Sequence, residues 1–423
     1  MLFHMKKKKK IIVVGGGFAG IQFIKSLDQD LFEVLLIDKI NHYQFQPLFY
    51  QVATSQIEPS NISFPLRNIF HDQKNVQIRL TELLSVDRIK KRIKTTIGDF
   101  KYDYLVLAIG CTTNYFGNEN IKNNTLSLKT TYDAITIRNH VLQNFESIIS
   151  ASEEQKQSFL NLVIIGAGPT GVELSGSFAE IKKNILPKDY PGIDFTKFKI
   201  ILIEGSKNTL NNFSENSKIL SLKYLRRMGV TVMTETFVKD YDGKELLLNN
   251  GDVIKTNTVI WAAGVTGNKV EGLSRSVFGP GNRIKVNRIN QVQQCMNIFA
   301  LGDLAYMETP LYPRGHPQVA NVAINQAKLL ARNLKAMNQS KHPVDYEYHD
   351  LGSMATIGTN KAVVDFGHIH FRGYVAWLMW MFLHLMLILS VKNKLIIFIN
   401  WAWAYITKNT SLRLILTDSE MKK

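Results

Sequence analysis

The stretch Ile11-Ile-Val-Val-Gly-Gly-Gly-Phe-Ala-Gly20 reads as a short β-branched strand that runs straight into a glycine-rich turn. Each glycine meets a different demand: Gly15 permits a tight turn, Gly17 lets a backbone approach a pyrophosphate, and Gly20 allows a helix to pack closely on the strand. Helical spacing follows at Ile21, Ile24 and Leu27, and a second strand is predicted over Phe32–Ile37. Asp38, with Lys39 beside it, ends that strand 23 residues after Gly15, a distance suited to a carboxylate that accepts hydrogen bonds from a ribose diol. The helix N-terminus would supply free N–H groups and partial positive charge to phosphates. A glycine-rich turn with no ligand is the bland alternative. The strand before, the helix after and the acid in place favour a dinucleotide site.

The same pattern returns about 150 residues later. Leu162-Val-Ile-Ile-Gly-Ala-Gly-Pro-Thr-Gly171 places glycines at 166, 168 and 171, followed by a helix predicted from Gly171 to about Asn184 and a strand over Lys199–Ile203. Its acid is Glu204, 38 residues after Gly166, and an insertion with Pro187, Pro191 and Gly192 accounts for the excess over the usual ~20. A carboxylate here favours NAD(H), since a 2′-phosphate would want arginine; Lys207 is the one counter-indication. Further strands are predicted at Tyr104–Ala108, Thr258–Trp261 and Ile298–Leu301, running into Gly110, Gly264 and Gly302, where ligands of a parallel sheet bind. Asp303 then reads either as a contact to a bound cofactor or as the N-cap of a helix starting at Leu304.

At 423 residues the chain suits two domains plus extras, and 45% hydrophobic residues fit a folded protein. The formal charge of +16 admits nucleic acid or an anionic surface as partner. The aromatic residues crowd toward the C-terminus instead of alternating with Lys and Arg, which argues against nucleic acid and for an acidic membrane surface. Cys111 and Cys295 form neither a CxxC nor a metal-ligand spacing, so two unpaired thiols in a reduced compartment, and no metal, are expected. Lys6–Lys10 precede an apolar run far too short for a signal peptide, which places the catalytic part in the cytosol.

From Leu351 the composition changes. Tyr374–Leu389 is a nearly unbroken apolar run of 16 residues, shorter than the ~20 that span a bilayer, and Leu395–Ile406 is a second run. Trp377 and Trp380 suit a membrane interface, and Arg372, Lys392, Lys394, Lys408 and Arg413 flank the runs where anionic headgroups would lie. An in-plane or re-entrant pair of helices fits better than a span, with burial between two copies of the chain as the remaining reading.

The segment after the first fingerprint, Asn41-His-Tyr-Gln-Phe-Gln-Pro-Leu-Phe-Tyr-Gln-Val-Ala53, holds no cysteine, which excludes the thiol relay of disulfide reductases. With Gly166-Ala-Gly-Pro-Thr-Gly-Val-Glu-Leu174, Trp261-Ala-Ala-Gly264, Phe299-Ala-Leu-Gly-Asp303, Gly352-Ser-Met-Ala-Thr-Ile-Gly358 and Ile399-Asn-Trp-Ala-Trp403, the chain resembles the type II NADH:quinone oxidoreductases. The resemblance implies an α/β fold of two Rossmann-like dinucleotide-binding domains plus a C-terminal membrane-associating helical module. The expected boundaries are 1–120 and 281–345 for FAD, 121–280 for NADH and 346–423 for the module.

It implies FAD held by Gly15, Gly17, Gly20, Asp38, Lys39, Gln46, Leu83 and Asp303, and NADH held near Gly166, Gly168, Gly171, Glu204 and Gly264. Glu173 is placed beside nicotinamide and flavin as a proton carrier; read from the residues alone, it is a helix first-turn acid that suits the dipole. Where the family carries two glutamines facing the quinone, this chain has Asn321 and Asn325, which keep one helix face and the amide chemistry but lose about 1.5 Å of reach, so water-bridged contact is expected. The implied partners are a membrane quinone (menaquinone or ubiquinone), the lipid surface and a second copy of the chain, at the cytoplasmic face of the inner membrane, without ion pumping. The rivals are an NADH dehydrogenase with a soluble acceptor and a non-catalytic flavin-binding membrane protein.

Overall fold

The computed structural model describes residues 8–410 and 412–416, so Lys6, Lys7 and the last residues of the C-terminal module lie outside the described residues. The chain groups into two compact units, one built from residues 1–43, 64–112 and 265–350, the other from 44–63, 113–264 and 351–423.

The first unit centres on a five-stranded parallel sheet in the order Ile298–Ala300, Tyr104–Leu107, Lys9–Val14, Phe32–Asp38, Val76–Leu80. The first strand in sequence is central and the order reverses beside it, which makes a doubly wound sheet with its switch point between Val14 and Leu107. Ile11–Val14 and Leu105–Leu107 are buried on both faces, as a helix-covered parallel sheet requires. The edge strand Val76–Leu80 departs from this and exposes Gln77, Arg79 and Leu80. The helix Phe18–Ser26 packs on the long helix Ala320–Asn338, and an antiparallel sheet of Leu83–Asp87, Arg92–Thr95 and Gly98–Lys101 completes the unit.

The second unit repeats the plan. Its parallel sheet runs Leu126–Ser127, Thr258–Trp261, Asn161–Ile165, Lys199–Ile203, Val230–Met233. Four strands correspond one for one between the sheets; only the outermost differs in origin, coming late in the chain in the first unit and early in the second. The helix predicted to begin at Gly171 begins at Pro169, because proline is pre-organised for the first helical position and its missing N–H is not needed there.

The C-terminal module is more than helical. Ser353–Gly358, Lys361–Phe366 and Ile369–Arg372 form an antiparallel sheet before the helices Gly373–Leu387 and Val391–Thr407. Gly176 lets the helix Pro169–Asn184 lie directly on the strand Ser353–Gly358; a Cβ there would sit 1.8 Å from the Ile357 carbonyl oxygen. Among the described residues no helix is long and apolar enough to cross a membrane.

Candidate active site

The two glycine-rich turns are built alike at their three shared glycines. Gly15 and Gly166 have φ near +100°, and a Cβ would strike the Ala108 or Ala262 carbonyl oxygen of the neighbouring strand at 2.4 or 2.6 Å. At Gly20 and Gly171 a Cβ would lie 1.9 Å from the carbonyl oxygen of the first glycine, so only hydrogen fits between helix and strand. Gly17 and Gly168 differ, because a Cβ there meets nothing within 4 Å. That open volume sits at the N-cap of each helix. A glycine cap has no side chain to bond the helix end and neither first turn holds an acid, so the first N–H groups and the positive dipole end stay available to an anion. The residues fit two pyrophosphates.

The acids close the turns. Asp38 accepts from the Gly16 N–H at 2.6 Å and from the Ile40 N–H at 2.9 Å. Glu204 accepts from the Ala167 N–H at 2.7 Å and from the Ser206 N–H at 2.9 Å. Both Asp38 oxygens and Glu204 Oε2 keep lone-pair capacity for a ribose hydroxyl, while Glu204 Oε1 also accepts from the Ser206 hydroxyl at 2.6 Å. Burial raises the Asp38 carboxyl above its ordinary range while the Ile40 and Gly16 N–H groups pull it back.

The remaining expected cofactor residues fall as follows. In the first unit Lys39 is exposed, and Leu83 is half-buried against the core of that unit. Asp303 lies inside a 3-10 turn, Gly302–Leu304, that passes directly into the strand Ala305–Met307; the expected helix and its N-cap are absent, because residues 305–307 pair with Ile284–Val286. The Asp303 carbonyl instead accepts from the Cys111 thiol at 3.3 Å and the Gln318 amide at 3.2 Å. Asn321 and Asn325 are half-buried on the helix Ala320–Asn338, and the adjacent Gln326, fully buried, accepts from the Gly302 N–H at 2.9 Å. That residue fastens the Gly302–Asp303 turn, a role its neutral side chain did not advertise. In the second unit Gln46 is exposed at the start of the 3-10 turn Gln46–Leu48, and Gly264, at φ +142, accepts the Asn114 N–H at 3.1 Å.

Glu173 is not a first-turn acid. The earlier helix start places it in the second turn, buried, where the dipole does not hold it. Burial raises its carboxyl to about 8, against the pull of the Thr356 N–H at 3.4 Å and the Trp380 indole. The Tyr50 phenol, also buried, is pushed well above its ordinary range by burial and by Glu173. Tyr50, Thr356 and Trp380 together line a narrow cleft of about 100 Å3 that also carries Ser177 and Glu180 from further along the Glu173 helix. Glu180 accepts from the Thr359 N–H.

Trp380 is therefore no interfacial residue. It is 1% exposed, with the His384 ring stacked at 3.9 Å, and burial drops that histidine to about 4. Trp401 is buried too and donates to Gln51 at 2.8 Å, while Trp403 on the same helix is 62% exposed. Arg413 is ion-paired with Asp189 and so is not turned to headgroups. Sequence reasoning missed Tyr50 and Thr356 because they lie more than 100 residues from Glu173; the Phe-Tyr-Gln segment and Gly352–Gly358 were the only signals.

The pyridine nucleotide-disulphide oxidoreductase profile matches residues 9–327, and the NDH2 C-terminal domain profile matches residues 350–409. Among curated relatives, the type II NADH:quinone oxidoreductase Ndh of Mycobacterium tuberculosis is 30% identical over 96% of this chain and 90% of its own. The type II NADH:quinone oxidoreductase of Staphylococcus aureus is 27% identical over 82% and 87%. Among solved structures, NDH2 from Plasmodium falciparum in complex with NADH superposes with a TM-score of 0.89 at 21% identity, over 97% of this chain and all of that one.

Proposed function

The chain belongs to the type II NADH:quinone oxidoreductases, flavoenzymes that use FAD and NADH, and on that premise we propose how its residues divide the work. FAD, when bound, supplies the acceptor for a hydride from NADH and the donor of two electrons to a quinone. The first unit's turn, Gly15 to Gly20, with Asp38, holds the FAD diphosphate and ribose. The second unit's turn, Gly166 to Gly171, with Glu204, holds NADH. The single observation that carries the reading is this doubled cradle, with both open positions, Gly17 and Gly168, at uncapped helix ends.

Glu173 holds the proton that quinone reduction consumes. Near neutral pH a buried carboxyl with affinity near 8 is protonated and able to donate; Tyr50, Thr356 and Trp380 beside it line the narrow cleft that also carries Glu180, the route by which the proton is recovered. Asn321 and Asn325 present amides to the quinone, through water where their shorter reach requires it. No chain of ionisable side chains runs through the apolar C-terminal helices, which supports redox turnover without ion pumping.

The C-terminal helices bring the enzyme to the bilayer. Gly373–Leu387 is apolar all round, yet only Ala376, Trp380 and His384 are buried; Val375, Leu378, Phe382 and Met386 form an exposed apolar stripe. Val391–Thr407 repeats this with Leu395, Phe398, Ile399 and Ile406 outside, and Lys392 and Lys394 are placed for anionic headgroups. Both helices lie in the plane of the membrane face that sees NADH. Anaerobic addition of NADH to the purified yellow protein is expected to bleach the flavin, and menadione to restore its colour; a flavin that NADH leaves unbleached would overturn the proposal.

A further inference from the structure

We propose that a cationic cavity along the edge of the first unit's parallel sheet, where Lys8, Lys10, Lys74 and Arg79 converge, is a binding site for a phosphate ester, separate from the dinucleotide cradles. The cavity holds about 310 Å3, within the range of small-ligand sites. In parallel sheets ligands bind where strands end; this cavity opens where Lys9–Val14 and Phe32–Asp38 begin and runs along the sheet edge to Arg79, which pairs with Ile37. Arg79 shares the face of its ladder partner Ile37, whereas Asp38, which closes the Gly15–Gly20 turn, is the next residue and turns to the opposite face, so the cavity is not an extension of that turn.

Sequence and register explain how the charges meet. Lys10 pairs with Glu33, and Leu35 pairs with Gln77. Partners across a parallel ladder share a face, and alternate residues along each strand return to it. Lys10, Glu33, Leu35, Gln77 and Arg79 therefore line one face of the sheet, and Phe100 from the antiparallel sheet forms a wall. A parallel sheet normally hides both faces under helices. This corner instead leaves Lys10, Glu33, Gln77 and Arg79 exposed around the buried Leu35.

The four cations face one carboxylate. Among the described residues none of the four is in an ion pair: the Lys8 ammonium donates to the Gln29 carbonyl at 2.8 Å, and the Arg79 guanidinium to the Ile78 carbonyl at 3.1 Å. Concave cationic sites with low-dielectric walls concentrate potential, and a guanidinium beside ammonium groups matches phosphate oxygens. A phosphate ester of two or more charges is the complement, either on a soluble metabolite or on a lipid headgroup.

The test uses FAD-loaded protein with NAD+ in excess to occupy the second cradle. Inorganic pyrophosphate is titrated calorimetrically into wild type, into the double variant Lys10→Gln/Arg79→Gln, and into the charge-matched control Lys239→Gln/Lys244→Gln. The expected result is one added site, weakened at least tenfold in the cavity variant and unchanged in the control, with flavin content and NADH oxidation the same in all three. No pyrophosphate binding, or equal binding in the cavity variant and wild type, overturns the proposal. Given the expected result, calorimetric competition against pyrophosphate assigns the source: displacement by soluble short-chain phosphatidic acid but not by glycerol 3-phosphate identifies a lipid headgroup, and displacement by glycerol 3-phosphate a soluble phosphate.

Discussion

Gly168 and Gly171 stand three residues apart in one fingerprint and answer to different constraints. A methyl group at 168 enters space free of protein, whereas at 171 it lies 1.9 Å from a carbonyl oxygen. Gly168→Ala is expected to fold and to raise the KM for NADH roughly tenfold or more, about 1.4 kcal/mol of lost binding; Gly171→Ala is expected to lower the melting temperature or block folding. Steady-state kinetics and thermal melts of the two variants separate the effects. Glu173 offers a pH signature. Below its ordinary value near 4.5 the carboxyl is protonated in folded and unfolded chains alike. Between 4.5 and about 8 the folded chain keeps a proton that the unfolded chain has released, so stability falls as pH rises, and above 8 the slope vanishes. Glu173→Gln removes that slope. Its melting temperature is expected to gain on wild type at pH 8.5 relative to pH 5, by the equivalent of a few kcal/mol at ~1.4 kcal/mol per pH unit. Quinone turnover is expected to fall about 100-fold with flavin content unchanged; equal pH profiles for variant and wild type would remove Glu173 from the proton step.

At the scale of elements, the short helix Phe49–Ala53 and the C-terminal helix Val391–Thr407 are tied by the buried Trp401–Gln51 hydrogen bond, and Asn393 adds a bond to the Asn61 carbonyl at 2.9 Å. Trp401→Phe leaves the Gln51 oxygen buried without its donor, a loss of about 1–3 kcal/mol, readable in denaturant unfolding. Gln51→Leu in the Trp401→Phe background removes the orphaned oxygen and is expected to recover part of that loss. Most of the parallel strands were legible because a β-branched run before a glycine turn admits little else; the edge strands Val76–Leu80, Leu126–Ser127 and Val230–Met233 run into no glycine and were not read. The antiparallel sheet Ser353–Arg372 was not, since its strands contain ordinary alternations whose partners are chosen by packing on the helix Pro169–Asn184.

For the whole molecule, a net charge of +16 and two helices with apolar outer stripes point the same way, toward an anionic bilayer. Phe382→Glu with Phe398→Glu changes residues 68% and 54% exposed, so folding and menadione reduction in detergent are expected to persist. Flotation with phosphatidylglycerol vesicles is expected to be lost, and wild-type flotation to weaken as salt rises. Flotation of the double variant equal to wild type would show that these stripes do not meet lipid.

By itself the sequence determined the two nucleotide turns and their acids, because these obey local rules: a positive φ at Gly15, a helix N-cap at Gly17, an acid one strand later. Tertiary structure alone decided solvent access. Trp380 and Trp403 look alike in the apolar tail, yet one lies against Glu173 and the other faces outward. Asp303 sits before residues with helical potential, yet strand pairing at 305–307 overrules it. Glu173 reads as an ordinary helix acid until Tyr50, Thr356 and Trp380, brought from distant parts of the chain, strip its water away. Spacing along a chain sets what each segment prefers, whereas the dielectric around a carboxyl depends on neighbours that no short stretch contains.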